Sequence, residues 1–149
     1  MIIFQSFLLI SLQHVMDQDT NQQTGRPGLI YGTVGQNVTL QCKLEEIPLE
    51  KLMVSWTFEN QSIKVHLYRN EGDDEDSQHS DYKKRTSVFP DQFKHGNFSL
   101  ELANVTKKDE GTYTWAVHNK DGLKKSGNIT LHVVDKNGSP LIGTSGKYL

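Results

Sequence analysis

Residues 96–117, GNFSLELANVTKKDEGTYTWAV, constrain the fold more than any other stretch of the chain. Phe98, Leu100 and Leu102 fall on one side of an alternating segment, with Ser99 and Glu101 on the other. That is the period-two pattern of a half-buried β-strand. Asn104 to Gly111 is polar and turns the chain around Asp109-Glu110-Gly111. From Thr112 the alternation resumes, placing Tyr113, Trp115 and Val117 together. Strand formers and turn residues outweigh helix formers through the middle of the chain, so it reads as all-β.

At 149 residues the chain suits one domain with tails, large enough to bury a core. A net charge of −2, with the pairs Lys83-Lys84, Lys107-Lys108 and Lys124-Lys125 scattered, gives no electrostatic case for binding nucleic acid. Ile2 to Leu12 is an apolar run too short to span a bilayer and of the right length for the core of a signal peptide. Residues 1–16 are therefore expected to be a signal peptide, and residues 17–28 a flexible lead-in. No membrane span is expected in this chain.

Six Asn-x-Ser/Thr sequons, at Asn37, Asn60, Asn97, Asn104, Asn128 and Asn137, point to a chain that meets the glycosylation machinery. The plainer reading is that Asn, Ser and Thr populate turns and strand edges. Asn137 is the weakest, because Pro140 follows its Ser139. Cys42 is the sole cysteine, so no intramolecular disulfide can form. By cysteine count alone the chain fits the cytosol. The apolar start and the sequons argue for export.

Taken in order, Leu29 to Thr33 reads as a short edge strand, and Asn37 to Leu44 as a strand with Val38, Leu40 and Cys42 on one side. Met53 to Glu59 places Val54, Trp56 and Phe58 inward, and Ile63 to Tyr68 supplies another strand. Glu71 to Asp81, with its acidic run EGDDED, reads as a solvated loop lacking the ligand pattern of a calcium site. Arg85 to Phe89 and Ser126 to Val134 supply two more strands, the last with Ile129, Leu131 and Val133 inward. Residues 135–149 have no periodicity and are expected to form a disordered tail.

These segments carry a family resemblance. A cysteine followed 14 residues later by a tryptophan on the next strand, then a tyrosine just after an Asp-Glu-Gly corner, resembles the immunoglobulin domain. The 53 residues from Trp56 to Asp109 leave room for the extra strands of the variable type. VHLYRN (Val65 to Asn70), DYKKRTSVF (Asp81 to Phe89), GNFSLELANVT (Gly96 to Thr106) and DEGTYT (Asp109 to Thr114) resemble the variable-type (V-set) domains of three related groups. These are the butyrophilins, myelin-oligodendrocyte glycoprotein and the T-cell costimulatory ligands. The resemblance covers residues 29–134. It implies an immunoglobulin-like β-sandwich of two antiparallel sheets in Greek-key order, with a salt bridge between Arg85 and Asp109 across its lower end.

In that family the residue two after the corner tyrosine is the second cysteine of the disulfide between the sheets; here it is Trp115. Losing such a disulfide typically costs about 2–5 kcal/mol in a small secreted domain. Burial of the Trp115 indole offsets part of this, and Cys42, Trp56, Tyr113 and Trp115 are expected in the core. Cys42 is expected to touch Trp115, with its thiol shielded.

The resemblance also implies a function: binding a lymphocyte receptor, modulating T-cell signalling and cytokine production, at the cell surface or as a soluble form. Alternatives are a homophilic adhesion module of the myelin glycoprotein kind and a truncated product without a partner. Strand alternation assigns the partner face to Ser55, Thr57, Glu59, His66 and Tyr68, together with Thr114, Ala116, His118, Thr130 and His132. Tyr68 and His118 are the expected anchors. The six histidines fall on different elements without metal spacing. There is no nucleophile elbow, phosphate-binding loop or acid–base pair, so neither an enzyme nor a cofactor is expected.

Overall fold

A computed structural model describes residues 28–141. The expected signal peptide, lead-in residues 17–27 and residues 142–149 of the tail lie outside the described residues.

Among the described residues nine strands form two layers. The larger sheet runs in the order β1 (Leu29–Thr33), β9 (Gly122–Val134), β8 (Gly111–Asn119), β3 (Met53–Phe58), β4 (Ile63–Arg69), β5 (Gly72–Asp73). The smaller is β2 (Val38–Leu40), β7 (Leu100–Leu102), β6 (Thr86–Ser87). All neighbours are antiparallel except β1, which joins β9 in parallel from Leu29–Thr130 to Thr33–Val134.

Alternation places Val54, Trp56, Tyr113, Val117, Leu131 and Val133 of the larger sheet against Leu40, Phe98, Leu100 and Leu102, and all are fully shielded. Removing each such side chain from water contributes about 1.5–3 kcal/mol. The Trp56 indole N–H donates to the Phe98 carbonyl at 3.3 Å, so the largest core residue also ties the two layers.

The corner between β7 and β8 is a hub of buried polar bonds. The Tyr113 hydroxyl donates to the Asp109 carbonyl at 2.7 Å and stands 3.1 Å from the Tyr82 hydroxyl. Asp109, 3% exposed, accepts from the Thr106 backbone N–H at 2.8 Å and from both terminal nitrogens of Arg85, at 2.6 and 3.3 Å. Burial pushes the Tyr82 phenol up to about 12 and the Tyr113 phenol higher still.

Several expectations are corrected. The strand read over 37–44 survives only as Val38–Leu40, because the Cys42 N–H goes to the Ser99 hydroxyl at 3.0 Å instead of to a ladder carbonyl. The acidic stretch is not all loop: Gly72–Asp73 pairs with β4, and Ser80–Tyr82 is a turn of 3-10 helix. In the expected tail, Asp135 to Leu141 includes a local turn. The Asp135 carboxylate accepts from the N–H groups of Asn137 and Ser139, and Pro140 bridges back to Val134.

Cys42 is 2% exposed. Burial pushes its thiol up to about 12, against a smaller opposing pull from the Lys125 charge. Trp115, expected inside the core, is only half-buried and packs against it. With Trp56 filling the centre, the Trp115 indole lies over Gly127 of the neighbouring strand, where a Cβ would stand 2.6 Å from its Cζ2. Because the reactive form of a thiol is the thiolate, Cys42 is expected to resist a maleimide at neutral pH until the domain unfolds. Rapid labelling under native conditions, read by mass, would contradict the shielding.

Candidate partner-binding face

The outer surface of the larger sheet is built in cross-strand rows set by the hydrogen-bond register. One row runs Arg69, Met53, His118, Leu123; the next Leu67, Ser55, Ala116, Ser126; the third Lys64, Thr57, Thr114, Asn128. Thr112 and Thr130 follow, their hydroxyls 3.3 Å apart. Opposite positions on a sheet share a face. Since Val54, Trp56 and Phe58 point into the core, these rows point out.

The centre of this face, Ser55, Ala116 and Ser126, is small, so the surface dips there. Met53, Leu67 and the 56% exposed Leu123 border it with apolar atoms. The Thr114 hydroxyl donates to Asn128 Oδ1 at 2.8 Å. Two-residue turn geometry raises Leu123: Asn119 pairs with Gly122, whose φ of 97° only glycine adopts comfortably. The hairpin is also tied to the loop before β3. The Asn119 side-chain amide donates to the Pro48 carbonyl at 2.9 Å, and Lys120 pairs with Glu50 at 3.3 Å.

Electrostatically the face has two sides. Lys120 and Lys124 lie on the β8–β9 hairpin, and the acidic residues from Glu71 to Asp76 lie beyond β4. Arg69 neutralises part of the acidic side through a 2.5 Å pair with Asp74. Burial would raise the Asp74 carboxyl, but bonds from Ser77 and Arg69 and the Arg69 charge hold it below the usual range.

The ten residues expected on this face divide. Ser55, Thr57, Thr114, Ala116, His118 and Thr130 lie together in the rows above. His132 lies toward the β1 side, edge-on to Tyr31 with ring centres 5.5 Å apart, and its Nδ1 is 2.8 Å from Glu110. His66 and Tyr68 are corrections: both turn inward. His66 sits opposite Trp56, is 5% exposed, and bonds Thr86 and Asp73, each at 2.8 Å. Tyr68 sits opposite Val54 and packs edge-on to Phe93 at 5.0 Å.

The cause is a register shift beside Val65, which inserts one residue and reverses the parity of all that follows. Lys64 and Leu67 take the outer positions instead. Glu59 is the third correction, because it leaves the strand for the β3–β4 turn with φ of 50°. Met53, Leu67, Leu123 and Ser126 were not singled out from the sequence. The Asn-Lys-Asp-Gly tetrapeptide at 119–122 was the signal for the hairpin that raises Leu123.

Among the described residues no cluster of His, Cys, Asp or Glu could hold a metal ion, and no helix is long and apolar enough to cross a membrane.

The geometry has counterparts. A T-cell activation inhibitor 1 of the rat, described as containing a V-set domain, is 39% identical over 101 residues, 67% of this chain and 35% of that protein. Human myelin-oligodendrocyte glycoprotein is 34% identical over 112 residues, 73% of this chain and 45% of that protein. This chain therefore spans between a third and a half of the length of these relatives. The crystal structure of the human B7-H4 IgV-like domain superposes with a TM-score of 0.63 at 30% identity, covering 69% of this chain and 90% of that one. A crystal structure of ICOS in complex with ICOS-L and an anti-ICOS-L VNAR domain gives a TM-score of 0.65 at 26% identity, over 70% of this chain and 53% of that one. Residues 26–134 match the immunoglobulin V-set domain, and the chain belongs to that family.

Proposed function

We propose that this chain is an extracellular binding module, held at a cell surface or released as a soluble form. In this reading its outer sheet face engages a receptor on lymphocytes and so modulates T-cell signalling and cytokine output. The observation that carries the reading is the face itself: a sheet surface that no other described residues cover, with a small-residue centre and an apolar border of Met53, Leu67 and Leu123. Such a surface suits a flat protein partner better than a small substrate, which would need an enclosing pocket. The relative named as a T-cell activation inhibitor and the neighbour solved within a complex of ICOS and ICOS-L support the same direction.

A bulky charge at the centre tests it. Ser55→Arg places an unpaired guanidinium where a partner must pack. It is expected to weaken binding of the tetramerised domain to activated T cells by about tenfold or more, equivalent to about 1.4 kcal/mol. Lys108→Glu, on the exposed corner, should leave it unchanged. Equal binding by Ser55→Arg and the parent, both stripped of N-glycans, would overturn the assignment.

A homophilic reading is favoured by one observation, the opposite charges on the two sides of the face, which suit antiparallel pairing of two copies. Sedimentation of the isolated domain separates the two: homophilic pairing requires salt-sensitive, concentration-dependent dimers, and Ser55→Arg would abolish them.

A further inference from the structure

The six sequons are not equivalent in the fold. The Asn97 side-chain amide donates to Gln92 while its oxygen accepts from the Ser99 N–H, and Ser99 is 2% exposed with its hydroxyl bonded to the Cys42 N–H. A sugar there would have to displace the bond from the Asn97 amide to Gln92. Asn37 donates its amide to Glu101 and accepts from the Asn104 N–H. Asn60 and Asn104 lie in turns with φ of 54° and 51°.

Asn128 differs from all of these. It stands on the extended β9 strand, exposed, in the third outer row between Ser126 and Thr130. Its side-chain oxygen accepts from the Thr114 hydroxyl at 2.8 Å, which fixes the amide with Oδ1 toward β8 and Nδ2 toward solvent. The sequon hydroxyl of Thr130 is exposed on the same face.

We propose that Asn128 is N-glycosylated and that its glycan covers the outer sheet face, so that occupancy of this one sequon gates the face. In the transfer, the Asn128 Nδ2 attacks C1 of an oligosaccharide carried on a lipid pyrophosphate. The N–C1 bond forms, the C1–O bond to the pyrophosphate breaks, a proton leaves Nδ2, and the lipid pyrophosphate departs. The acceptor chain is extended when this happens. The folded state then decides only where the sugar ends up, and at Asn128 it ends up on the face without breaking a core bond. The first sugar sits beside Thr57 and Thr114, a row below Ser55 and Ala116. The glycosylated form is therefore closed to a flat partner, and the bare form is open. The gating half of the proposal rests on the partner-face reading above.

The experiment is expression of the full chain in animal cells, with glycopeptide mass spectrometry before and after enzymatic deglycosylation in heavy-oxygen water. The peptide containing Asn128 is expected to be occupied in the parent and in Thr130→Ser, and bare in Thr130→Ala and Asn128→Gln. A bare Asn128 in the parent overturns the modification. Thr130→Ala and Asn128→Gln are each expected to bind activated T cells about tenfold more strongly than the occupied parent. If Asn128 is occupied and Ser55→Arg weakens binding but neither sequon variant strengthens it, the gate is wrong and the face stands. If Asn128 is occupied and Ser55→Arg has no effect even when combined with Asn128→Gln, the face reading fails and takes the gate with it, leaving the modification intact.

Discussion

Replacing Asp109 with alanine is expected to destabilise the domain by about 3–5 kcal/mol, the usual cost of removing one partner of a buried ion pair. The carboxylate holds three groups at once: both terminal nitrogens of Arg85 and the Thr106 N–H that opens the corner. Its loss leaves the Arg85 guanidinium, 24% exposed, without a counter-charge and the Thr106 donor without its acceptor. Against a typical domain stability of about 5–15 kcal/mol, that is a large fraction. The measurement is a urea denaturation curve, in which the midpoint falls while the slope stays constant. Asp109→Asn should recover part of the loss, because an amide oxygen still accepts while the charge is gone. A shift below about 1 kcal/mol would mean that the other acceptors around Arg85, the carbonyls of Asp81 and Ala103, hold the corner without the carboxylate.

Trp115→Cys is the second large expected effect, with its size set by redox state. Position 115 lies directly across from Trp56 on the neighbouring strand, and in related domains the disulfide to the strand carrying Cys42 starts here. Closing a loop of roughly 70 residues constrains the unfolded chain by about 4 kcal/mol. The oxidised variant is expected to exceed its own reduced form by about that amount. Trp115→Ser isolates the opposing loss of indole packing, which is modest because the indole is only half-buried. Thermal unfolding with and without a reductant gives the comparison. Equal midpoints in the two conditions, with the disulfide confirmed by mass, would show that the bridge strains the native sandwich as much as it restrains the unfolded chain.

The core was legible because its signal is parity, and parity survives wherever a strand is regular. Trp56, Tyr113, Leu100 and Leu131 are all fully shielded, as alternation alone requires. The corner was legible because Asp109, Gly111 and Tyr113 combine turn chemistry with a polar handle in a short span. The partner face was read less well, for a reason that is local. One inserted residue beside Val65 leaves the composition of β4 untouched yet sends His66 and Tyr68 inward and Leu67 outward. Nothing in IKVHLY marks the shift, since both faces carry large side chains. The shortened β2 has the same character: whether the Cys42 N–H bonds a ladder carbonyl or the Ser99 hydroxyl depends on the partner strand. Trp115 was placed in the centre because volume is not visible along a sequence. Only packing shows that Trp56 already fills that space and that Gly127 leaves room beside it.

The length of β9 has a consequence for solubility. Among the described residues β1 accompanies it only from Thr130 to Val134, and the part from Gly122 to Gly127 has β8 as its one strand neighbour. An open edge of that length is a template on which a stray extended chain can polymerise. Here the exposed run begins with a register shift that twists the hairpin and carries Lys124 and Lys125 side by side, each adding repulsion between like edges. Neutral replacements at Lys124 and Lys125 are therefore expected to raise aggregation, read by light scattering, before they lower the unfolding midpoint.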